Sequence, residues 1–262
     1  MKIVVCIKQV PDTNEVKLDP VKGTLIRDGV PSIINPDDKA GLEAALQIKD
    51  ETGATVTVIS MGPPQADAAL REALAMGADE AYLVTDRAFG GADTLATSYT
   101  VAAGIAKIGD FDLIIAGRQA IDGDTAQVGP QIAEWLDIPN VSYAEDIKVD
   151  GDSIVVKRQY DDRYHTVRVQ MPCLVTALGE MNTPRYMTPG GIFDAYREKE
   201  VHIITRADVD VDDDKLGLKG SPTNVAQSFP KQLKPAGVKE TGLDAEGAAD
   251  YIVAKLKEKF VI

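Results

Sequence analysis

Apolar positions in the first half of the chain follow two alternating rhythms. Short unbroken apolar runs are separated by stretches where apolar residues recur every three or four places. The first pattern fits strands covered on both faces, the second helices with one buried stripe. Residues 2–7 (KIVVCI) read as the first strand, followed by a long connection over 8–34 rich in Pro, Asp and Gly. Asn35-Pro36-Asp37 opens a helix with an Asx cap and proline in the first turn. Leu42, Ala45, Leu46 and Lys49 carry its helical spacing, and it stops near Gly53. Thr55–Ser60 is a β-branched strand, Gln65–Met76 a helix closed by Gly77, and Ala81–Thr85 a third strand. A helix from Thr94 to Ile108 stops at Gly109. A fourth strand over Leu113–Ala116 then enters a polar, glycine-bearing loop and an amphipathic helix ending near Trp135.

Strands separated by helices predict an α/β fold with a doubly wound, mainly parallel sheet, Rossmann-like and of the adenine-nucleotide-binding type. After Pro139 the rhythm changes. Val141–Ala144 reads as one more sheet strand, Ile147–Val149 and Ile154–Arg158 as a hairpin turning at Gly151-Asp152, and Thr166–Val169 and Cys173–Ala177 as further strands. These predict antiparallel strands added to the parallel core. Beyond Met181 come a short helix near Ile192–Lys199, a strand over Val201–Thr205, and an acidic segment, Asp208–Asp214, read as a solvated linker. Pro and Gly punctuate Gly217–Gly237, and an amphipathic helix from Ala245 to Phe260 follows. The expected division is a nucleotide-binding domain over 1–205 and a C-terminal linker and arm over 206–262, the arm packing on a partner subunit.

Composition narrows the functions. The net charge of −13 argues against nucleic acid and anionic membrane as partners. No apolar run is long enough to span a membrane, and the N-terminus lacks the apolar region of a signal peptide. Cys6 and Cys173 sit in apolar runs without C-x-x-C spacing and read as reduced, packed thiols of a cytoplasmic protein, so the expected localisation is cytoplasmic. His165 and His202 form no zinc motif, no G-x-S-x-G elbow is present, and neither a P-loop nor a G-x-G-x-x-G after the first strand occurs. The glycine and glutamate spacing of 208–214 does not fit a calcium loop. What remains is a nucleotide site without an evident side-chain catalyst, where a cofactor carries any chemistry.

The stretch from Phe111 to Trp135 places a helix N-terminus beyond the carboxyl end of a strand, a natural seat for a phosphate. Gly117 and Gly123 permit tight turns there; Thr125 offers a hydroxyl, Gln127 an amide, and Val128-Gly129 further backbone N–H groups. Arg118 adds charge, or stacks on a ring, or makes a surface pair. Asp122 and Asp124 would repel a phosphate and read instead as helix caps or ribose ligands. Elsewhere, the small Cys6 lets a base or ribose lie against the backbone, or is simply packed. Asn35 and Asp37 are cap residues that also face the site in the functional reading. Met61, followed by Gly62-Pro63, ends the second strand where a turn would touch the base. Gly90-Gly91 precedes Asp93 and Thr94, one of which caps the next helix and adds a ligand contact.

KIVVCIKQVPD at the start, NPDD at 35–38, ALAMGAD at 73–79, AGRQAIDGDTAQVGP at 116–130 and MNTPRYMTPGGI at 181–192 together resemble the β subunit of electron-transfer flavoprotein, nearly end to end. The resemblance implies a heterodimer with an α subunit carrying its own FAD. It implies a β nucleotide site on Cys6, Asn35 to Asp38, Met61 and the loop Asp122 to Ala133, Ala126 included. It also implies a docking loop for acyl-CoA dehydrogenases on Met181, Asn182, Pro184, Arg185 and Tyr186. The D-G-D-T-A-Q-V-G loop and the G-A-D-T before the helix at 94 look like the electron-bifurcating subgroup, whose β site holds FAD; housekeeping members hold AMP. FAD is the favoured expectation, AMP the alternative. The function implied is oxidation of NADH, one electron passing to ferredoxin or flavodoxin and the other through the α-subunit FAD to an acyl-CoA dehydrogenase. A non-redox nucleotide-binding or sensor protein on the same scaffold is the alternative of another class.

Overall fold

The computed structural model describes residues 1–12, 31–226 and 235–262. The first strand, β1 (Lys2–Cys6), is followed by β2 (Gln9–Pro11), which pairs antiparallel with β3 (Ser32–Ile34). Most of the expected 8–34 connection lies outside the described residues. Then come α1 (Pro36–Thr52), β4 (Thr55–Met61), α2 (Asp67–Met76), β5 (Glu80–Val84), α3 (Thr94–Ile108), β6 (Leu113–Gly117) and α4 (Val128–Trp135). The hairpin region supplies β7 (Asn140–Asp150), β8 (Ser153–Gln159), β9 (Tyr164–Gln170) and β10 (Cys173–Ala177), followed by α5 (Pro189–Arg197) and β11 (Val201–Ile204).

Among the described residues one nine-stranded sheet runs β11-β5-β4-β1-β6-β10-β7-β8-β9. It is parallel from β11 to β7; the pairings of β7 with β8 and of β8 with β9 are antiparallel. Strand alternation supplies both faces. Ile3, Val5, Leu113 and Ile115 pack beneath α1 and α2, whereas Val4 and Ile114 pack with residues of α3 and α4. Because β1 is flanked by β4 on one side and β6 on the other, the chain leaves it in opposite directions. That arrangement opens a crevice at the carboxyl ends of these strands.

Three expectations change. Cys173–Ala177 is not an antiparallel addition: β10 lies parallel between β6 and β7, inside the core. The two short runs 141–144 and 147–149 are one eleven-residue strand, β7, with a bulge near Tyr143, whose φ is +62°. The extra residue breaks the period-two pattern, which is why the sequence reads as two pieces. The acidic 208–214 segment is not a free linker. The Arg206 guanidinium donates to the carbonyls of Val209 (3.0 Å) and Val211 (2.9 Å), folding the segment so that both valines and Leu216 are buried.

Accordingly the compact unit extends over Met1–Ser228, past the 205/206 boundary that charge alone indicates. The second unit, Phe229–Ile262, carries α6 (Ala245–Glu258). The Asp244 side chain caps α6 by accepting from the Gly247 N–H at 2.8 Å. No residue of α6 is buried. No helix among the described residues is long and apolar enough to cross a membrane.

Candidate functional site

A cleft of about 980 Å³ opens at the carboxyl ends of β1, β4, β5 and β6. It brings together Cys6 from β1, Met61 from β4, Asp93 and Thr94 from the start of α3, and Arg118 after β6. Gly123, Thr125, Ala126, Gln127, Val128 and Gly129 complete that wall. Four other candidate residues do not line the cleft. Asn35 is fully buried and makes no side-chain cap; its amide donates to the Gln119 carbonyl (2.8 Å) and accepts from the Ile121 N–H (3.0 Å). Asn35 therefore braces the loop after β6, a correction to its expected Asx-cap role. Asp37 lies 3.2 Å from the Arg118 Nε, Asp122 pairs with the Lys8 Nζ at 2.6 Å, and Asp124 accepts from the Gln119 amide at 2.9 Å. These three carboxylates are engaged with neighbouring side chains.

The floor of the cleft is a carboxylate at the start of α1. Asp38 accepts the Lys8 N–H on one oxygen (2.8 Å) and the Gly117 N–H on the other (3.0 Å), joining the ends of β1 and β6. Burial pushes its carboxyl up to about 7, against the pull of these donors and of Asn35. Gly117 makes the approach possible, since a Cβ there would stand 2.2 Å from Asp38 Oδ1. Burial, reinforced by Asp38, raises the half-buried Cys6 thiol to about 12, so it stays protonated and is no nucleophile.

Two helix N-termini face the cleft, and they differ. At α3 the Asp93 carboxylate accepts the N–H groups of Leu95 (3.0 Å) and Ala96 (3.1 Å), so that end carries its own anion. At α4 there is no side-chain cap, and the N–H groups of residues 125–129 have no partner among the described residues. Asp124 (φ +49°) and Ala126 (φ +52°) adopt left-handed backbone, and Gln127 is right-handed. Such alternation turns successive N–H groups into one concavity, an anion nest. Here too the outcome differs from expectation: the left-handed turns fall on Asp124 and Ala126, whereas Gly123 has no positive φ. The Thr94 hydroxyl donates to Gln127 Oε1 (2.9 Å), linking the two lips and leaving the Gln127 amide N–H₂ free to donate.

Sequence reasoning did not single out Lys8 or Arg87, and it reached Asp38 only within the 35–38 segment that the resemblance implies. Lys8 and Arg87 sit in segments that look like ordinary surface; only the sheet brings the ends of β1 and β5 onto one cleft. The segment 181–186 lies elsewhere, beside α1. Asn182 donates to the Ala40 carbonyl (2.9 Å), and Arg185 forms a forked pair with Glu43 (2.9 and 3.0 Å) while reaching Asp50 (2.9 Å). Met181 and Pro184 are half-buried, and Tyr186 is 95% exposed.

A family model for the electron transfer flavoprotein domain matches residues 22–209. The chain is 62% identical over 262 residues to an electron transfer flavoprotein subunit beta of Clostridium acetobutylicum, with both chains covered completely. It is 57% identical over 263 residues to the caffeyl-CoA reductase-Etf complex subunit CarD of Acetobacterium woodii, again over the whole of both. It is 49% identical over 269 residues to the acryloyl-CoA reductase electron transfer subunit gamma of Anaerotignum propionicum, likewise over both full chains. A parallel sheet with an anion nest at its crevice, and this likeness over the full length, have one meaning: the chain belongs to the electron transfer flavoprotein family, among its β subunits.

Proposed function

We propose that the cleft binds FAD in a heterodimer with an α subunit that carries a second FAD, and that the complex oxidises NADH by electron bifurcation. One electron passes to ferredoxin or flavodoxin, the other through the α-subunit FAD to an acyl-CoA dehydrogenase. The observation that carries the reading is the α4 terminus, which has no side-chain cap and whose N–H groups at 125–129 have no partner among the described residues, beside a capped α3. Those N–H groups fit a pyrophosphate, with the Thr125 hydroxyl and the Gln127 amide as further donors. Arg87 lines the cleft, as do Lys8 and Arg118, which are paired with Asp122 and Asp37. The cleft volume sits at the upper end of the roughly 300–1,000 Å³ usual for ligand sites, which supports a dinucleotide over a mononucleotide.

Bound FAD would supply the redox chemistry, accepting a hydride from NADH and passing electrons singly. The protein's share is positioning and electrostatics. Gln127, held by Thr94, presents its amide toward the cleft, and the Asp38 clamp holds the ends of β1 and β6 in register beneath it. The relatives from caffeyl-CoA and acryloyl-CoA reductase complexes support an acyl-CoA oxidoreductase as electron partner. The Met181–Tyr186 segment is the proposed docking surface, its exposed Tyr186 held out by the Arg185–Glu43 pair.

Co-expression with the α subunit and a count of nucleotides per heterodimer test this reading. Two FAD, bleached by NADH, are expected; one FAD with one AMP would overturn it in favour of a housekeeping subunit. A chain that takes no α subunit and no flavin would point to the non-redox class. Thr125→Ala combined with Gln127→Ala is expected to lower β-site flavin occupancy several-fold, and unchanged occupancy would remove this loop from the site.

A further inference from the structure

The lip of the cleft across from the α4 terminus is Gly90–Asp93, and Asp93 is fully engaged by the protein itself. Its Oδ1 accepts the N–H groups of Leu95 and Ala96, at 3.0 and 3.1 Å. Its Oδ2 accepts the Thr223 N–H (3.1 Å) and the Thr223 hydroxyl (2.8 Å). A carboxylate has roughly four acceptor positions, and the protein fills them all. The Asp93 N–H in turn donates to the Ser221 hydroxyl (2.8 Å), which donates onward to the Gly217 carbonyl (2.7 Å). One step earlier, the Leu218 N–H donates to the Gly90 carbonyl (3.0 Å). Residues 217–223 therefore follow the lip closely, on the side away from the ligand space. Neither Ser221 nor Thr223 lines the cleft.

We propose that Asp93 is a positioning residue, not a ligand of the nucleotide. It latches the cleft lip to Ser221 and Thr223, so that nucleotide binding and the seating of residues 217–223 are coupled. The physical basis is the cost of order. A lip already fixed by five hydrogen bonds loses little conformational freedom when a ligand fills the cleft, whereas a released lip must be ordered on binding. Linkage makes the effect reciprocal: bound nucleotide must tighten the seating of 217–223 by the same factor. The saturated Asp93 also neutralises the α3 terminus and leaves the α4 nest as the place for a ligand's negative charge.

The inference rests on the placement of an adenine nucleotide in this cleft, not on its being FAD. Thr223→Val in the full chain, complexed with its α subunit, removes one hydrogen bond of the latch and changes no residue that lines the cleft. The dissociation constant of the β-site nucleotide is expected to rise roughly tenfold, an ordinary size for coupling between sites. Amide exchange at residues 90–96 is expected to quicken, and Thr223→Ser, which keeps the hydroxyl, to restore both values. Wild-type affinity in Thr223→Val overturns the latch, as does tighter binding, the result expected if Asp93 bound the ligand through a freed Oδ2. Equal weakening in the Val and Ser variants overturns it too. The two readings fail separately. A wild-type complex holding AMP sinks the FAD assignment, while the ratio of variant to wild-type affinity, measured on AMP, still decides the latch.

Discussion

Asp38 shows how much one buried side chain can do here. Its two oxygens hold the backbone at Lys8 and Gly117, and so join the ends of the two strands that form the crevice floor. Desolvation is the cost, and it raises the carboxyl to about 7. An unfolded aspartate titrates near about 4, so the native protein keeps this proton to higher pH than the unfolded chain. The stability contributed by that proton is full below about 4 and is lost as pH rises through about 7. Asp38→Asn removes this dependence and sets an amide N–H₂ against a backbone donor, at about 1–3 kcal/mol. Urea unfolding followed from about pH 5.5 to about pH 8 should show a flatter stability profile for the variant than for wild type. Parallel profiles would remove Asp38 as the titrating group. The same scale exposes the limit of residue reading. Asn35 and Asp93 carry side chains suited to a ligand, yet both are braces whose polar atoms the fold has already engaged.

At the scale of elements, the helix and strand rhythm located α1, α2, α3, β4 and β6 within a residue or two, because each repeats its pattern over several turns or pleats. The pattern failed where geometry is irregular: at the β7 bulge, and in 206–216, where a guanidinium organises a segment that its charge marks as solvent. The 181–187 segment has no regular structure either; the Asn182 amide and the ion pairs of Arg185 with Glu43 and Asp50 fix it on α1. Glu43 is only 5% exposed, so removing the Arg185 guanidinium leaves a nearly buried carboxylate without its counter-charge, held only by the Gln47 amide and the N–H of residue 185. Because the Arg185 head is about one-third open to water, Arg185→Ala should cost toward the low end of about 3–5 kcal/mol. Adding Glu43→Gln should recover part of that loss. Thermal unfolding of the single and double variants checks this, and additive losses would show the pair to be uncoupled.

For the whole molecule, the compact unit to Ser228 closes its own core, but α6 does not: it buries none of its residues, and Ile252 is 58% exposed. A helix with an unburied apolar stripe gains most of its stability from whatever covers it. Amide exchange across Ala245–Glu258 should therefore be fast in the isolated chain and strongly slowed in the complex with the α subunit. Equal exchange in both would separate this helix from the subunit interface.

The sequence by itself determined the alternation of strands and helices, the doubly wound parallel class and the glycine-bearing loop between β6 and α4. Each of these rests on contacts within a few residues or on side-chain periodicity. Only the tertiary structure decided that the second oxygen of Asp93 is taken by Thr223, 130 positions away, and that the sheet order sets Cys6, Met61, Arg87 and Arg118 around one cleft. Hydrogen bonds between residues so far apart in the chain leave no local pattern.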